Sequence, residues 1–183
     1  MKRFLPLAML LVFVFVAACS NNEANESSSN ATNNSGSTEE TSDASETNVK
    51  SDLLDFQMNL IQTVNKNDSP IYAFEAAKVA EEKPSDEELA TMKADAEAAA
   101  KTVAEDVRAV EVPAELDTYK SDIEAALEDL AKSYETRAAN LSDEPEATYE
   151  ESDAQFASFE EKMATVYEDA GLTAPSFSAD LVD

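Results

Sequence analysis

Carboxylates are the most abundant side chains in this chain that could do chemistry. The 183 residues include 39 Asp and Glu, against 13 Lys and Arg, with no His and a single Cys. The lack of His excludes Ser-His-Asp and Cys-His catalysis and imidazole metal sites. One Cys excludes a cysteine-based zinc site, and two Gly cannot form a glycine-rich phosphate loop. Oxygen ligation of a divalent cation and acid–base catalysis by a carboxylate pair remain open.

The spacing of the carboxylates indicates neither kind of site. They occur as adjacent pairs, whose members point about 100° apart around a helix and do not form a chelating cluster alone. The pairs are Glu81-Glu82, Glu87-Glu88, Glu150-Glu151 and Glu160-Glu161. We predict no catalytic residues, no cofactor and a solvated acidic surface. One alternative is a site for a divalent cation or a small ligand, formed by carboxylates between helices; its metal ligands are unknown. The second alternative is a carboxylate-dependent hydrolase.

The net charge of −26 at pH 7 restricts the partners of the chain. Nucleic acids and anionic lipids bind through clusters of Lys and Arg, which this sequence lacks, so we predict no nucleic-acid partner. An acidic surface favours a basic protein or peptide, and that attraction weakens as salt is added.

The N-terminus has the pattern of a bacterial lipoprotein signal. Lys2 and Arg3 precede an apolar run over residues 4–18, which is shorter than the ~20 residues of a membrane-spanning helix. The run ends in a branched residue, two small residues and the only cysteine: Val16, Ala17, Ala18 and Cys19. This motif resembles the lipobox. The resemblance implies diacylglyceryl transfer to the Cys19 thiol, cleavage after residues 1–18, and anchoring by acyl chains such as palmitate on the extracytoplasmic face of the cell membrane.

The segment after Cys19 has the composition of a disordered tether. Of the 29 residues from 20 to 48, 19 are Ser, Thr or Asn and six are Asp or Glu. Such a segment has almost no apolar surface to bury against the entropy of ordering it. We therefore assign residues 19–48 to a lipidated Cys and its tether, and residues 49–183 to a folded domain.

The domain carries helical periodicity throughout and is predicted to be all-α. The Ser69-Pro70 pair interrupts the first helix, which is kinked or broken near Pro70. Later helices are predicted from a capping box at Ser85 to Val110, from about Ala114 to Leu141, and from about Glu146 to Ala170, where Gly171 ends the last. Short turns between four helices predict an antiparallel up-down bundle.

Several side chains are assigned from this periodicity. On the broken first helix the predicted apolar face includes Leu53, Leu54, Met58, Leu60, Ile61, Val64, Ile71, Phe74, Ala77 and Val79. Tyrosines are expected in the core with hydroxyls at its rim, a ligand groove being the alternative: Tyr119, Tyr134, Tyr149 and Tyr167. Arg137 is expected to pair with a neighbouring Glu. The last apolar residues are expected across the bundle end: Phe177, Leu181 and Val182.

Residues 1–48 are thus similar to the signal, lipobox and tether of a bacterial surface lipoprotein, most simply a Gram-positive one. Residues 49–183 contain no family-specific motif. The resemblance and the composition together predict a lipid-anchored helical module with a non-catalytic interaction or structural role at the cell envelope. The alternative is a divalent-cation or small-ligand binding lipoprotein.

Overall fold

The computed structural model describes residues 40–181, with side chains from Asn48 onward. Within residues 40–181 every regular element is helical, which confirms the all-α class. The elements are α1 (Glu40–Asn65), α2 (Ser69–Val79), α3 (Asp86–Arg108), a 3-10 helix (Ala114–Tyr119), α4 (Lys120–Asn140), α5 (Glu150–Asp169) and α6 (Phe177–Asp180).

The first helix begins before the predicted domain boundary. Residues 40–48, assigned from composition to the tether, form the start of α1. Adding residues to an existing helix costs little compared with nucleating one, so a helix anchored by its packed C-terminal half extends into a polar sequence. The rest of the predicted tether and the signal segment lie outside the described residues.

Local signals in the sequence set the helix ends. The regular helix is interrupted between Asn65 and Ser69, and Pro70 lies in the first turn of α2, where its missing N–H is not needed. Ser85 and Glu88 form the predicted capping box: the Ser85 N–H donates to Glu88 Oε2 at 2.9 Å, and the Glu88 N–H donates to Ser85 Oγ at 3.3 Å.

The predicted C-cap of α5 is also present. Gly171 has a φ of +70°, and its N–H donates to the carbonyl of Glu168 at 2.9 Å. The next N–H, of Leu172, donates to the carbonyl of Tyr167 at 2.8 Å. These two bonds satisfy carbonyls that the helix leaves without partners.

Two helix starts differ from the prediction. The helix expected from Ala114 opens with a 3-10 turn, because Leu116 adopts a non-helical φ of −100° and ψ of 17°, and α4 itself begins at Lys120. The helix expected from Glu146 begins at Glu150. Pro145 and Glu146 form a turn, and residues 147–149 are irregular.

The buried face of the broken first helix is partly different from the predicted one. Leu53, Phe56, Leu60 and Val64 are buried at spacings of three and four. The prediction was wrong for three apolar residues, whose exposed fractions are 48%, 58% and 66%: Leu54, Met58 and Val79. They lie off the stripe that faces the neighbouring helices. Lys78 takes the inward position next to Val79 and is 2% exposed.

From α2 to α5, helices adjacent in the chain pack against each other. α3 contacts α2 and α4, α4 contacts α5, and α1 packs on α3 and the 3-10 helix. The C-terminal segment covers part of this core: the Phe177 ring lies 4.8 Å from that of Phe159, and Leu181 is buried. Val182 lies outside the described residues.

Candidate functional site

A cleft of about 440 Å³ opens between α2, α4, α5 and the C-terminal segment. We call it the α2–α4–α5 cleft. Most of the surface that lines it is apolar, and Ile71 from α2, Phe156 from α5 and Leu181 from the end of the chain contribute to this surface. The polar groups that line it are Tyr72, Ser133, Tyr134, Arg137, Ser152, Asp153 and Ser178.

Helical spacing brings these residues to one place. On α4, Ser133 and Arg137 are four residues apart, and on α5, Ser152 and Phe156 have the same spacing, so each pair lies on one face of its helix. The Ser133 hydroxyl donates to the Leu130 carbonyl at 2.7 Å. It is therefore satisfied within α4.

Arg137 joins α4 to the first turn of α5. Its Nη2 lies 2.8 Å from Asp153 Oδ1, and its Nε donates to Ser152 Oγ at 3.2 Å. The guanidinium carbon lies 4.1 Å from the centroid of the Tyr149 ring, a favourable cation–π geometry. The predicted Glu partner was wrong, because the partner is an Asp on the next helix.

Tyr149 precedes the first residue of α5 and links that helix to α2. Lys78 Nζ donates to the Tyr149 hydroxyl at 3.1 Å, and that hydroxyl donates to Glu75 Oε1 at 2.8 Å. Lys78 Nζ also lies 2.7 Å from Glu75 Oε2. Burial lowers the pKa of Lys78, but the hydrogen bonds and charges of Glu75 and Tyr149 outweigh it and leave the pKa raised. The ammonium therefore stays charged.

A buried acidic group lies beside the two tyrosines of the cleft. Asp68 is 3% exposed, and burial raises its pKa from 3.8 to about 6. The Tyr72 hydroxyl donates to the Leu181 carbonyl. The pKa of Tyr72 is raised, first by burial and then by the charge of Asp68. The pKa of Tyr134 is raised well above its ordinary value by burial and by the nearby Tyr72 and Asp68. Both phenols are neutral at physiological pH.

Tyr134, Tyr149 and Tyr167 are buried, as predicted for the core, and the four tyrosines do not form the alternative ligand groove. Tyr134 lines the cleft, whereas Tyr149 lines a different depression. Tyr167 is buried elsewhere and donates to the Leu53 carbonyl at 2.8 Å, and Tyr119 lines a separate depression. Sequence reasoning missed Tyr72. Its only signal was a position directly after Ile71 in the short helix that Pro70 opens.

The acidic pairs are dispersed over the surface. Glu88 is used in the capping box, and Glu160 Oε1 accepts the Ser178 N–H at 2.9 Å. In the part of the chain that the structure describes, no group of three or more Asp, Glu, Cys or His residues is placed to hold a metal ion.

The predicted lipidation site and its motif lie outside the described residues: Val16, Ala17, Ala18 and Cys19. Among the helices described here, none combines the length and the apolar character that crossing a bilayer requires. No protein-family model, curated protein or solved structure matches this chain.

Proposed function

We propose that this chain is a lipid-anchored binding protein on the extracytoplasmic face of a bacterial cell membrane. The support for the anchor is the basic pair Lys2 and Arg3, the apolar run over 4–18 and the Val-Ala-Ala-Cys motif that ends at Cys19. Residues 1–18 are removed, and Cys19 carries the acyl chains. Two or more such chains hold a protein stably on a bilayer, at ~0.8 kcal/mol per buried methylene.

The helical domain is proposed to be an antiparallel up-down bundle of four helices. In this arrangement α1 and α2 together take the place of the first helix. The support is the packing of α2 on α3, α3 on α4 and α4 on α5, since short connections favour antiparallel neighbours.

The role of the domain is non-catalytic binding, and the α2–α4–α5 cleft is the observation that carries this assignment. A mostly apolar cleft of about 440 Å³ with a few fixed polar groups has the size and chemistry of a binding site. Its polar groups are held in place by the protein: Tyr72 and Tyr134 are neutral, and Arg137 is paired with Asp153. The same cleft favours the small-ligand alternative, in which the occupant is a free molecule.

The anchor is tested by labelling cells with an alkynyl palmitate analogue. When the whole 183-residue sequence is expressed, we expect label on the processed chain and its recovery in the membrane fraction. Cys19→Ser should abolish the label, because Cys19 is the only cysteine in the chain. It should also leave residues 1–18 attached, because the proposed cleavage requires a lipidated Cys19. Label that persists in Cys19→Ser, or an unlabelled wild-type chain, would contradict the anchor.

The cleft is tested with N-phenyl-1-naphthylamine, a neutral apolar amine that fluoresces in apolar surroundings. We expect saturable binding at one site of the full chain held in phosphatidylcholine nanodiscs. Ser178→Trp should abolish binding, because Ser178 lines the cleft and is exposed. Ser176→Trp is the matched control, since Ser176 is exposed on the same segment and does not line the cleft. No saturable binding, or equal loss in both variants, would refute a binding role for this cleft.

A further inference from the structure

The carboxylates around the α2–α4–α5 cleft outnumber its cations. The charge of Arg137, which lines the cleft, is matched by Asp153 at 2.8 Å. Glu160 accepts the backbone N–H of Ser178, which lines the cleft, whereas the Asp180 carboxylate lies farther out, 3.5 Å from the amide of Gln57 on α1. Within residues 48–181, neither Glu160 nor Asp180 forms an ion pair. An approaching ligand therefore meets uncompensated negative charge.

The polar groups inside the cleft are already bonded to the protein. The Tyr72 hydroxyl donates to the Leu181 carbonyl, and Tyr134 lies beside Tyr72. An anionic ligand would have to separate Arg137 from Asp153 and to approach a chain of net charge −26. The chemistry that fits is an apolar group for the interior and positive charge for the rim.

From these observations we infer that the cleft binds an apolar side chain of a basic peptide segment, with basic residues on either side of it at the acidic rim. The inference rests on the binding role proposed above and names its partner class. Asp153 pairs with Arg137 through Oδ1 but is 62% exposed, so a second cation can approach its other oxygen. Asp153 and Glu160 are both on α5, seven positions apart, which corresponds to about 10 Å along a helix. An extended peptide covers about 10 Å in three residues. The acidic spacing thus matches the distance between two lysines three positions apart. Side chains at this spacing leave an extended backbone on opposite faces, but the flexible four-carbon stem of lysine lets both ammonium groups turn towards α5.

Four blocked tetrapeptides test the two parts of this match. Lys-Phe-Ala-Lys has both the anchor and the charges, Lys-Ala-Ala-Lys lacks the anchor, and Gln-Phe-Ala-Gln and Glu-Phe-Ala-Glu lack or reverse the charges. Titration calorimetry on the full chain in phosphatidylcholine nanodiscs gives the affinities. We expect Lys-Phe-Ala-Lys to bind at least about tenfold more tightly than the other three, a difference of ~1.4 kcal/mol. Its advantage over Gln-Phe-Ala-Gln should vanish between about 0.01 M and about 1 M salt, as the Debye length falls from ~30 Å to ~3 Å.

Charge-neutral variants of the chain localise the effect. Glu160→Gln keeps an oxygen for the Ser178 N–H, and Asp153→Asn keeps an oxygen for Arg137, so both remove charge with little change of shape. Each should weaken Lys-Phe-Ala-Lys several-fold without changing the binding of N-phenyl-1-naphthylamine. Asp122→Asn is the matched control, because Asp122 is exposed in the first turn of α4, about 22 Å along the helix from Arg137.

The outcomes separate this inference from the binding role. If the naphthylamine binds and Lys-Phe-Ala-Lys binds no better than the neutral or acidic peptide, the basic partner is refuted and the binding role stands. If the naphthylamine binds and no peptide does, the occupant is a free apolar molecule and the inference is again refuted. If neither probe binds, both proposals fail.

Discussion

Replacing Asp68 by Asn is expected to stabilise the protein at neutral and alkaline pH. Asp68 is 3% exposed, and burial raises its pKa from 3.8 to about 6. Because the folded-state pKa lies above the unfolded one, the native state binds this proton more tightly than the unfolded chain. The ionised carboxylate therefore reduces the free energy of unfolding above pH 6, and this cost disappears as the pH falls below about 4.

The magnitude follows from the size of the shift. The difference between 3.8 and about 6 corresponds to ~3 kcal/mol, because each pKa unit is worth 1.36 kcal/mol. Asn is neutral, has nearly the shape of Asp and is equally suited to the position before a helix. We therefore expect Asp68→Asn to raise the free energy of unfolding by roughly 2–3 kcal/mol at pH 8 and to leave it nearly unchanged at pH 3.5.

Urea unfolding followed by circular dichroism at pH 8, 6 and 3.5 measures this difference. Tyr72 and Tyr134 face Asp68 and have raised pKa values, so they do not titrate in this range. Asp55→Asn, at an exposed position of α1, is the control and should change stability by less than about 0.5 kcal/mol. Destabilisation by Asp68→Asn at pH 8, or an equal effect at pH 8 and pH 3.5, would refute the assignment of a buried, costly charge.

Substitutions at three further positions test other parts of the structure through the free energy of unfolding. Lys78→Ala should cost about 3 kcal/mol, because it leaves a cavity at a buried position and removes the ammonium paired with Glu75. Lys78→Met should cost less, because Met fills the cavity, and equal costs of the two variants would contradict this account. Gly171→Ala should cost about 1 kcal/mol because of the φ of +70°, and an unchanged midpoint would argue against a left-handed cap. Arg108→Gln should cost less than about 1 kcal/mol at pH 7, since its partners are about half exposed. Arg108 lowers the pKa of Glu128 and Glu135 in the folded state. The stabilisation that it provides is therefore present above the pKa that these carboxyls have in the unfolded chain, and it is lost as acid protonates them. If Arg108→Gln still reduced stability at pH 2, its effect would not come from these ion pairs.

The features predicted correctly from the sequence are those that depend on neighbouring residues alone. The Ser85–Glu88 capping box and the Gly171 cap each need only a few consecutive residues. The inward direction of a helix face is different, because it depends on which helices pack against it. Leu54 and Met58 have apolar side chains but lie off the buried stripe, whereas Lys78 is buried because Tyr149 and Glu75 satisfy its ammonium.

The candidate site could not be predicted for the same reason. The cleft combines Tyr72 from α2, Arg137 from α4, Asp153 from α5 and Leu181 from the C-terminal segment. Helical periodicity identified the face of α4 that carries Tyr134, but it does not indicate which residues of α2 and α5 lie opposite. A pattern of spacings within one helix also favours a partner on that helix, so Arg137 was assigned a neighbouring Glu instead of Asp153.

The cost of Asp68 and the proposed partner can be connected by one measurement. The charge of a buried carboxylate such as Asp68 destabilises the fold, and a role of this charge in binding a cation would explain why it is present. Functional sites often reduce the stability of the protein that carries them. Asp68 acts electrostatically on Tyr72 and Tyr134, which line the cleft. We therefore expect Asp68→Asn to weaken Lys-Phe-Ala-Lys a few-fold at pH 8 and to have no effect at pH 5, where the wild-type group is mostly protonated. Binding of the neutral naphthylamine should stay unchanged at both pH values. Equal peptide affinities for the variant and the wild type at pH 8 would separate the burial of Asp68 from the binding of a basic partner.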